Sequence, residues 1–193
     1  MRTVVFDIET SNIFADVGSN NPADLDIAVV CLWDSETDSY HSFTTEQFNE
    51  LWRLLEHTDI LVGYNSDHFD VPLLNKYYPG DLSQIKSLDL MKEVQLVIGR
   101  RLKLDNIAKC TLGTKNAKSA DGLMAVEWWR NGEYQKVIDY CIQDVKVTKQ
   151  VMDYALEHGH LKYNDGPHKK TVELDTRTWL EAEKVSMTHT LGF

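Results

Sequence analysis

The chain opens on a short apolar run, Val4, Val5, Phe6 and Ile8, interrupted by two acids, Asp7 and Glu9. Its β-branched content predicts a buried central strand across Thr3 to Thr10. A polar excursion follows from Asn12 to Asp26, carrying Gly18, Asn20, Asn21 and Pro22. Ile27 to Trp33 then predicts a second strand, Asp34 to Asp38 a turn, and Ser39 to Thr44 a third strand that completes a hairpin. Thr45 is expected to cap a helix whose apolar stripe is Phe48, Leu51, Trp52, Leu54 and Leu55. Asp59 to Tyr64 predicts a further strand. It ends in a polar turn, Asn65 to Asp70, leading into a helix over Val71 to Tyr78, with Asp70 at the N-cap position and Pro72 in the first turn. Pro79-Gly80 stops that helix, Gln84 to Leu88 predicts one more short strand, and Asp89 caps a helix reaching about Ile98.

The second half of the chain is more helical. Ser119 is expected to start a helix running through Met124, Val126, Trp128 and Trp129, the tryptophan pair read as core, closed by Asn131-Gly132. Glu133 to His158 predicts a long amphipathic helix with Val137, Ile138, Cys141, Val145, Thr148, Val151, Met152 and Ala155 on its inner face. Beyond His160 the pattern weakens. Leu161 to Tyr163 and Thr171 to Leu174 predict a small hairpin around Asn164 to Pro167, and Asp175 to Phe193 is a short helix or a trailing segment.

Composition alters this picture little. The 193 residues suit one sizeable domain. No apolar run approaches the roughly 20 residues needed to cross a bilayer, and no signal-peptide pattern precedes the first strand. A cytoplasmic protein without membrane contact is the expectation. Cys31, Cys110 and Cys141 are odd in number and set in apolar contexts, so free buried thiols are expected rather than disulfides or zinc ligands. The net charge of −10 argues against a protein that coats nucleic acid through charge alone. It does not exclude an enzyme acting on nucleic acid, because clustered carboxylates invert their local charge once they hold metal ions. Gly99 to Lys103 is the most basic stretch. With Lys109, Lys115 and Lys118 it is either a face for phosphate contacts or a solvated loop and helix face.

The acids carry the chemistry. Side chains two apart on a strand share a face, so Asp7 and Glu9 leave the first strand together. Two carboxylates side by side raise each other's pKa and resist burial unless a cation lies between them, and a hard divalent ion is the natural partner. Asp70 lies in the turn beyond a later strand, where the alternative is simple helix capping. Tyr140 and Asp144 lie four apart on the long helix and so share a face.

Three motifs join these residues. F-D-I-E-T at Phe6 to Thr10, G-Y-N-S-D-H-F-D-V-P-L-L at Gly63 to Leu74 and Y-C-I-Q-D at Tyr140 to Asp144 occur in order. In this the sequence resembles the DEDD superfamily of 3′-to-5′ exonucleases, which share an RNase H-like fold. The tyrosine in the third motif is that of the DEDDy branch, and the second motif is most similar to the proofreading domains of family-B DNA polymerases. The resemblance covers roughly Arg2 to Leu156. It implies an α/β RNase H-like fold with a mixed central sheet of about five strands flanked by helices. Residues 1–158 would form the exonuclease domain, and residues 159–193 an extension packed on it. By the family's pattern two divalent ions, Mg²⁺ or Mn²⁺, sit about 4 Å apart. Asp7 would bridge them, Glu9 and Asp144 would complete one site, Asp70 would hold the other, and Tyr140 would position the attacking water. Thr10, Asn65 and Phe69 fall where the family contacts the substrate strand. The implied activity is hydrolysis of phosphodiester bonds from the 3′ end of single-stranded DNA. An exoribonuclease of the same superfamily and a non-catalytic nucleic-acid-binding module are the alternatives.

Overall fold

A computed structural model describes residues 1–113 and 122–181. Its centre is β1 (Thr3–Thr10), whose apolar positions are all buried. It pairs antiparallel with β2 (Ile27–Asp34), and β2 pairs antiparallel with β3 (Ser39–Phe43). On its other side β1 pairs parallel with β4 (Ile60–Gly63), and β4 pairs parallel with β5 (Lys86–Asp89). The order β3-β2-β1-β4-β5 is the expected mixed sheet, with a hairpin-connected half and a parallel half reached by helical crossovers.

The alternation of β1 divides the interior in two. Val4, Phe6 and Ile8 face a layer built from α2 (Phe48–Leu55) and α3 (Asp70–Asn75), where Leu51, Leu55, Leu73 and Leu74 meet them. Val5 faces the opposite layer, made by α4 (Leu90–Ile98), α5 (Leu104–Thr111), α6 (Gly122–Arg130) and α7 (Tyr134–His158). Asp7 and Glu9 share the phase of Val5, so they meet α7 and not α2. Between Glu9 and Thr10 the register against β2 slips by a residue. Such a bulge sharpens the local twist and re-aims the side chains beside it.

Helix α7 is 25 residues long and buries Val137, Tyr140, Cys141, Asp144, Val145, Thr148, Val151, Met152 and Ala155 on one stripe. Gly159 ends it in the left-handed region at φ 70°, with its amide bonded to the Ala155 carbonyl. The chain then reverses into an antiparallel hairpin, β6 (His160–Asp165) and β7 (His168–Glu173), a separate two-stranded sheet. Leu161, Tyr163 and Val172 anchor it in the α7 layer. Trp179 is buried beyond it, its indole donating to Glu93 at 3.1 Å, while Lys86 donates to the carbonyls of Thr178 and Glu181.

Several local expectations shift. The helical turn after β3 starts one residue early, because Gln47 reaches back 3.1 Å to the Thr44 amide in a capping box and a 3₁₀ turn, Thr45–Gln47, precedes α2. Helix α3 is Asp70–Asn75, so Asp70 is its first residue and Phe69 its N-cap. The fifth strand begins at Lys86, after a 3₁₀ turn at Leu82–Gln84. Helix α5 follows the basic stretch Gly99 to Lys103, where no helix bounds were expected, with Ile107, Ala108 and Cys110 turned inward. Asp89 caps α4 as expected, accepting from the amides of Met91 and Lys92. Cys31, Cys110 and Cys141 are free buried thiols. The helix start read at Ser119, together with Lys115, Lys118 and the chain after Glu181, lies outside the described residues.

At the far end of β1 from its acids, Asp34 is 1 % exposed. It accepts from Arg2 Nε at 3.0 Å and Nη2 at 2.8 Å, from the Glu36 amide at 3.0 Å and from the Thr37 hydroxyl at 3.1 Å. Burial pushes this carboxyl up, but the Arg2 guanidinium and the other donors outweigh it and hold the group below the usual carboxylate range. Because the folded state lowers this pKa, the stabilisation is present above the unfolded value near 3.9 and is lost as the pH falls through the folded one. Asp34→Asn is therefore expected to cost about 2 kcal/mol at neutral pH. In urea titrations the gap between the two proteins should narrow below about pH 4.

Candidate active site

The candidate site forms where β1 and β4 reach their carboxyl ends, the edge at which open α/β sheets bind ligands. Asp7 and Glu9 project from β1 toward α7, and α7 brings Asp144 to meet them. Asp144 is 2 % exposed, Glu9 is buried and Asp7 is half-buried. One carboxylate oxygen from each of the three can be chosen so that all lie within 4.8 Å of one another. The same-face reading of β1 and the turn-apart reading of α7 thus converge on one point in space.

Asp70 enters from the other side of the strand. It is buried, and its Oδ1 accepts from the Ile8 amide at 3.1 Å, so the carboxylate is tied to β1 between the two acids. The alternative role of Asp70, simple helix capping, is not the observed one, since its side chain bonds to β1 while Phe69 holds the N-cap position. Burial and then the neighbouring Asp7 charge push the Asp70 carboxyl well above the ordinary range, more than its two amide contacts lower it. Asp7 and Asp70 are accordingly two carboxylates that disfavour each other's charge.

The donor set is oxygen alone. Cys141 lies beneath it, its thiol donating to the Asp7 carbonyl at 3.4 Å. Burial and then the adjacent Cys31 push that thiol up, which disfavours its thiolate form. A compact group of carboxylates fits a hard divalent cation such as Mg²⁺ or Mn²⁺ and does not select a soft one. Tyr140 is buried one turn ahead of Asp144, its ring in a T-shaped pair with Trp128 at 6.0 Å between centroids.

Asp7, Glu9 and Asp70 open onto a cavity of about 340 Å³, whose walls include Thr10, Asn65, Phe69 and Leu123. The Thr10 hydroxyl donates to the Asn12 carbonyl at 2.9 Å and closes the turn after β1. Phe69 meets Phe14 edge to face at 6.3 Å. Asn65 has φ 70°, a left-handed conformation that asparagine tolerates better than most residues. Its side-chain oxygen accepts from the Arg101 guanidinium.

Two contributions were not visible in the sequence. Asp89, read only as a cap, also accepts from the Asn65 amide at 2.7 Å and the Asp67 amide at 3.2 Å, so one buried carboxylate fixes both α4 and the loop that carries Asn65. Arg101, read as part of a basic stretch, reaches the cavity rim through Asn65. The sequence signal for each was a charged residue beside an element boundary. The partner some distance along the chain is supplied only by the fold.

The chain belongs to the RNase H superfamily: the family model RNase_H_2 of that superfamily matches residues 4–156. No curated protein sequence matches it significantly. The family B DNA polymerase from the hyperthermophilic archaeon Pyrobaculum calidifontis is a structural relative. It is 18% identical with a TM-score of 0.60, over 81% of this chain and 24% of the polymerase. The chain thus spans about a quarter of that protein's length. At this identity the likeness concerns the fold.

Gly63 ends β4 where the chain must turn back on itself. A Cβ there would overlap the side chain of Ser66, which is fully buried. Gly63→Ala is expected to displace the loop from Tyr64 to Phe69 and to destabilise the protein by about 1–3 kcal/mol. Denaturant titration checks this. A variant as stable as wild type would mean that the loop has room to spare.

Proposed function

We propose that this chain is a metal-dependent 3′-to-5′ exonuclease of the DEDDy type that acts on single-stranded DNA. The observation that carries the reading is the convergence of Asp7, Glu9 and Asp144 within 4.8 Å at the end of β1, with Asp70 bonded to the strand between them. Superfamily membership supports a nucleic-acid substrate. The three motifs, with their resemblance to polymerase proofreading domains, support the 3′ polarity and the choice of DNA. Residues 1–158 are the catalytic part in this reading, with 159–193 as an extension of it.

Asp7, Glu9 and Asp144 would hold one divalent ion, and Asp7 with Asp70 a second. When bound, the ions supply Lewis acidity that neutralises charge on the scissile phosphate and on the departing oxygen. The chain's own residues do the rest. The four carboxylates fix where positive charge can collect, and so where the terminal phosphodiester must lie. Tyr140 orients the attacking water through its hydroxyl, because a phenol with an ordinary pKa near 10 is a weak base at neutral pH. Phe69 offers an aromatic face to the terminal bases, a contact tolerant of sequence. Thr10 and Asn65 contact the strand at the rim.

The decisive assay uses 5′-labelled single-stranded DNA and matched RNA with Mg²⁺, Mn²⁺ or chelator. Wild type should give a metal-dependent ladder shortening from the 3′ end of the DNA. Asp7→Ala and Asp144→Ala should lower the rate at least about 100-fold, a loss of several kcal/mol of transition-state stabilisation. Tyr140→Phe should cost less than either. Asp7→Ala should melt no lower than wild type, since the change removes a carboxylate that repels Asp70. A ladder on RNA alone would move the substrate to the exoribonuclease alternative. Metal binding by calorimetry with no turnover of either strand would reduce the chain to a binding module.

A further inference from the structure

The overall charge of −10 conceals an uneven distribution. The segments 99–111 and 160–173 hold seven arginines and lysines against three acids. The fold unites these segments. Helix α5 is bound to β6 by reciprocal contacts. The Thr111 hydroxyl donates to the Lys162 carbonyl at 3.0 Å and accepts from its amide at 2.9 Å, and Asn106 does the same for the backbone of Asn164. The hairpin therefore sits on α5 as one body, with Arg100 and Arg101 on the connection that enters it.

A line of contacts runs from the cavity onto this body. Asn65 on the rim accepts from Arg101, and the Tyr64 hydroxyl on the cavity wall donates to the Leu102 carbonyl at 2.8 Å. The next residue, Arg100, pairs with Asp165 at 2.7 Å and lies over the Tyr163 ring at 5.9 Å. Asp165 also takes Lys170, at 2.5 Å. One carboxylate shared by two cations leaves a positive excess and holds both heads at a fixed separation. All three cations are exposed. Strand alternation adds a direction, because Lys170 pairs across the hairpin with Tyr163 and shares the face of buried Val172, while Lys169 takes the other face.

We propose that a polynucleotide with its 3′ end in the cavity runs out along the exposed end of the hairpin at Asp165, with Arg101, Arg100 and Lys170 binding successive upstream phosphates. The inference rests on the nuclease reading and adds the path of the substrate strand. A backbone with evenly spaced phosphates matches a row of fixed cations, and such contacts carry affinity without sequence preference. The chemistry also explains why a strongly acidic chain retains a local cationic row beside its own carboxylates.

The test separates the two readings. Fluorescence anisotropy in chelator, where no strand is cleaved, would measure binding of a 5′-fluorescein oligonucleotide of about sixteen nucleotides, a span able to cross a whole site. The double variant Arg100→Ala/Lys170→Ala should bind it about tenfold more weakly. Its slope of log affinity against log salt should be shallower by about 1.4, the value for two phosphate contacts on a single strand. Lys169→Ala, on the opposite face, should change affinity less than twofold. Turnover of a trinucleotide with Mg²⁺ or Mn²⁺, too short to reach the hairpin, should be the same in all three proteins. An unchanged salt slope in the double variant would overturn the path, as would an equal effect from Lys169→Ala. A wild type that binds the long strand with the expected slope but leaves both strands uncut would instead overturn the nuclease reading.

Discussion

Repulsion among Asp7, Glu9, Asp70 and Asp144 is the constraint around which the fold is arranged. Carboxylates this close and this buried destabilise the chain that gathers them. They stay together because three rigid supports hold them. Two are fixed by the pleat of β1, one by the first turn of α3 and its bond to the Ile8 amide, and one by the buried stripe of α7. The apolar packing on both faces of β1 holds those supports in place. A cation between the acids would turn the same geometry from a cost into a gain, and folding and ligand binding would then draw on one set of side chains.

A second carboxylate has the opposite character. Asp89 organises its surroundings, since four backbone amides converge on it from two segments. It ties the loop after β4 to the start of α4 and so sets where Asn65 stands. Arg101 then meets Asn65 from α5's side of the molecule. The cavity rim is thereby defined by pairings between loops, while its floor is defined by strands and helices.

This division also marks what sequence could reveal. The floor was legible, because periodicity fixes faces: Asp7 and Glu9 two apart on a strand, and Tyr140 and Asp144 four apart on a helix. The sheet order followed from a hairpin and then crossovers, and the β6–β7 pairing from alternation around Asn164 to Pro167. Asp70 was legible as an acid in the right place but not in its contact. A residue before a helix reads as a cap unless one knows that β1 offers the Ile8 amide instead. Helix α5 left little trace. It is eight residues long, and Lys103 before it makes no side-chain cap. The rim contacts left none, since Asn65–Arg101 and Asp89–Asn65 join residues whose separation along the chain carries no periodic signal.

Helix α7 has a mechanical consequence. At about 1.5 Å per residue its 25 residues make a rod of roughly 37 Å. The rod carries Tyr140 and Asp144 in its first half and turns, at Gly159, directly into β6. Metal-ligand candidates and hairpin are thus threaded on one stiff element seated in a single apolar layer. Local opening of such a unit is cooperative. Amide protons along the second half of α7 and in the hairpin should therefore exchange with solvent as one block with those beneath the carboxylates. Anything that rigidifies one end would slow exchange at the other.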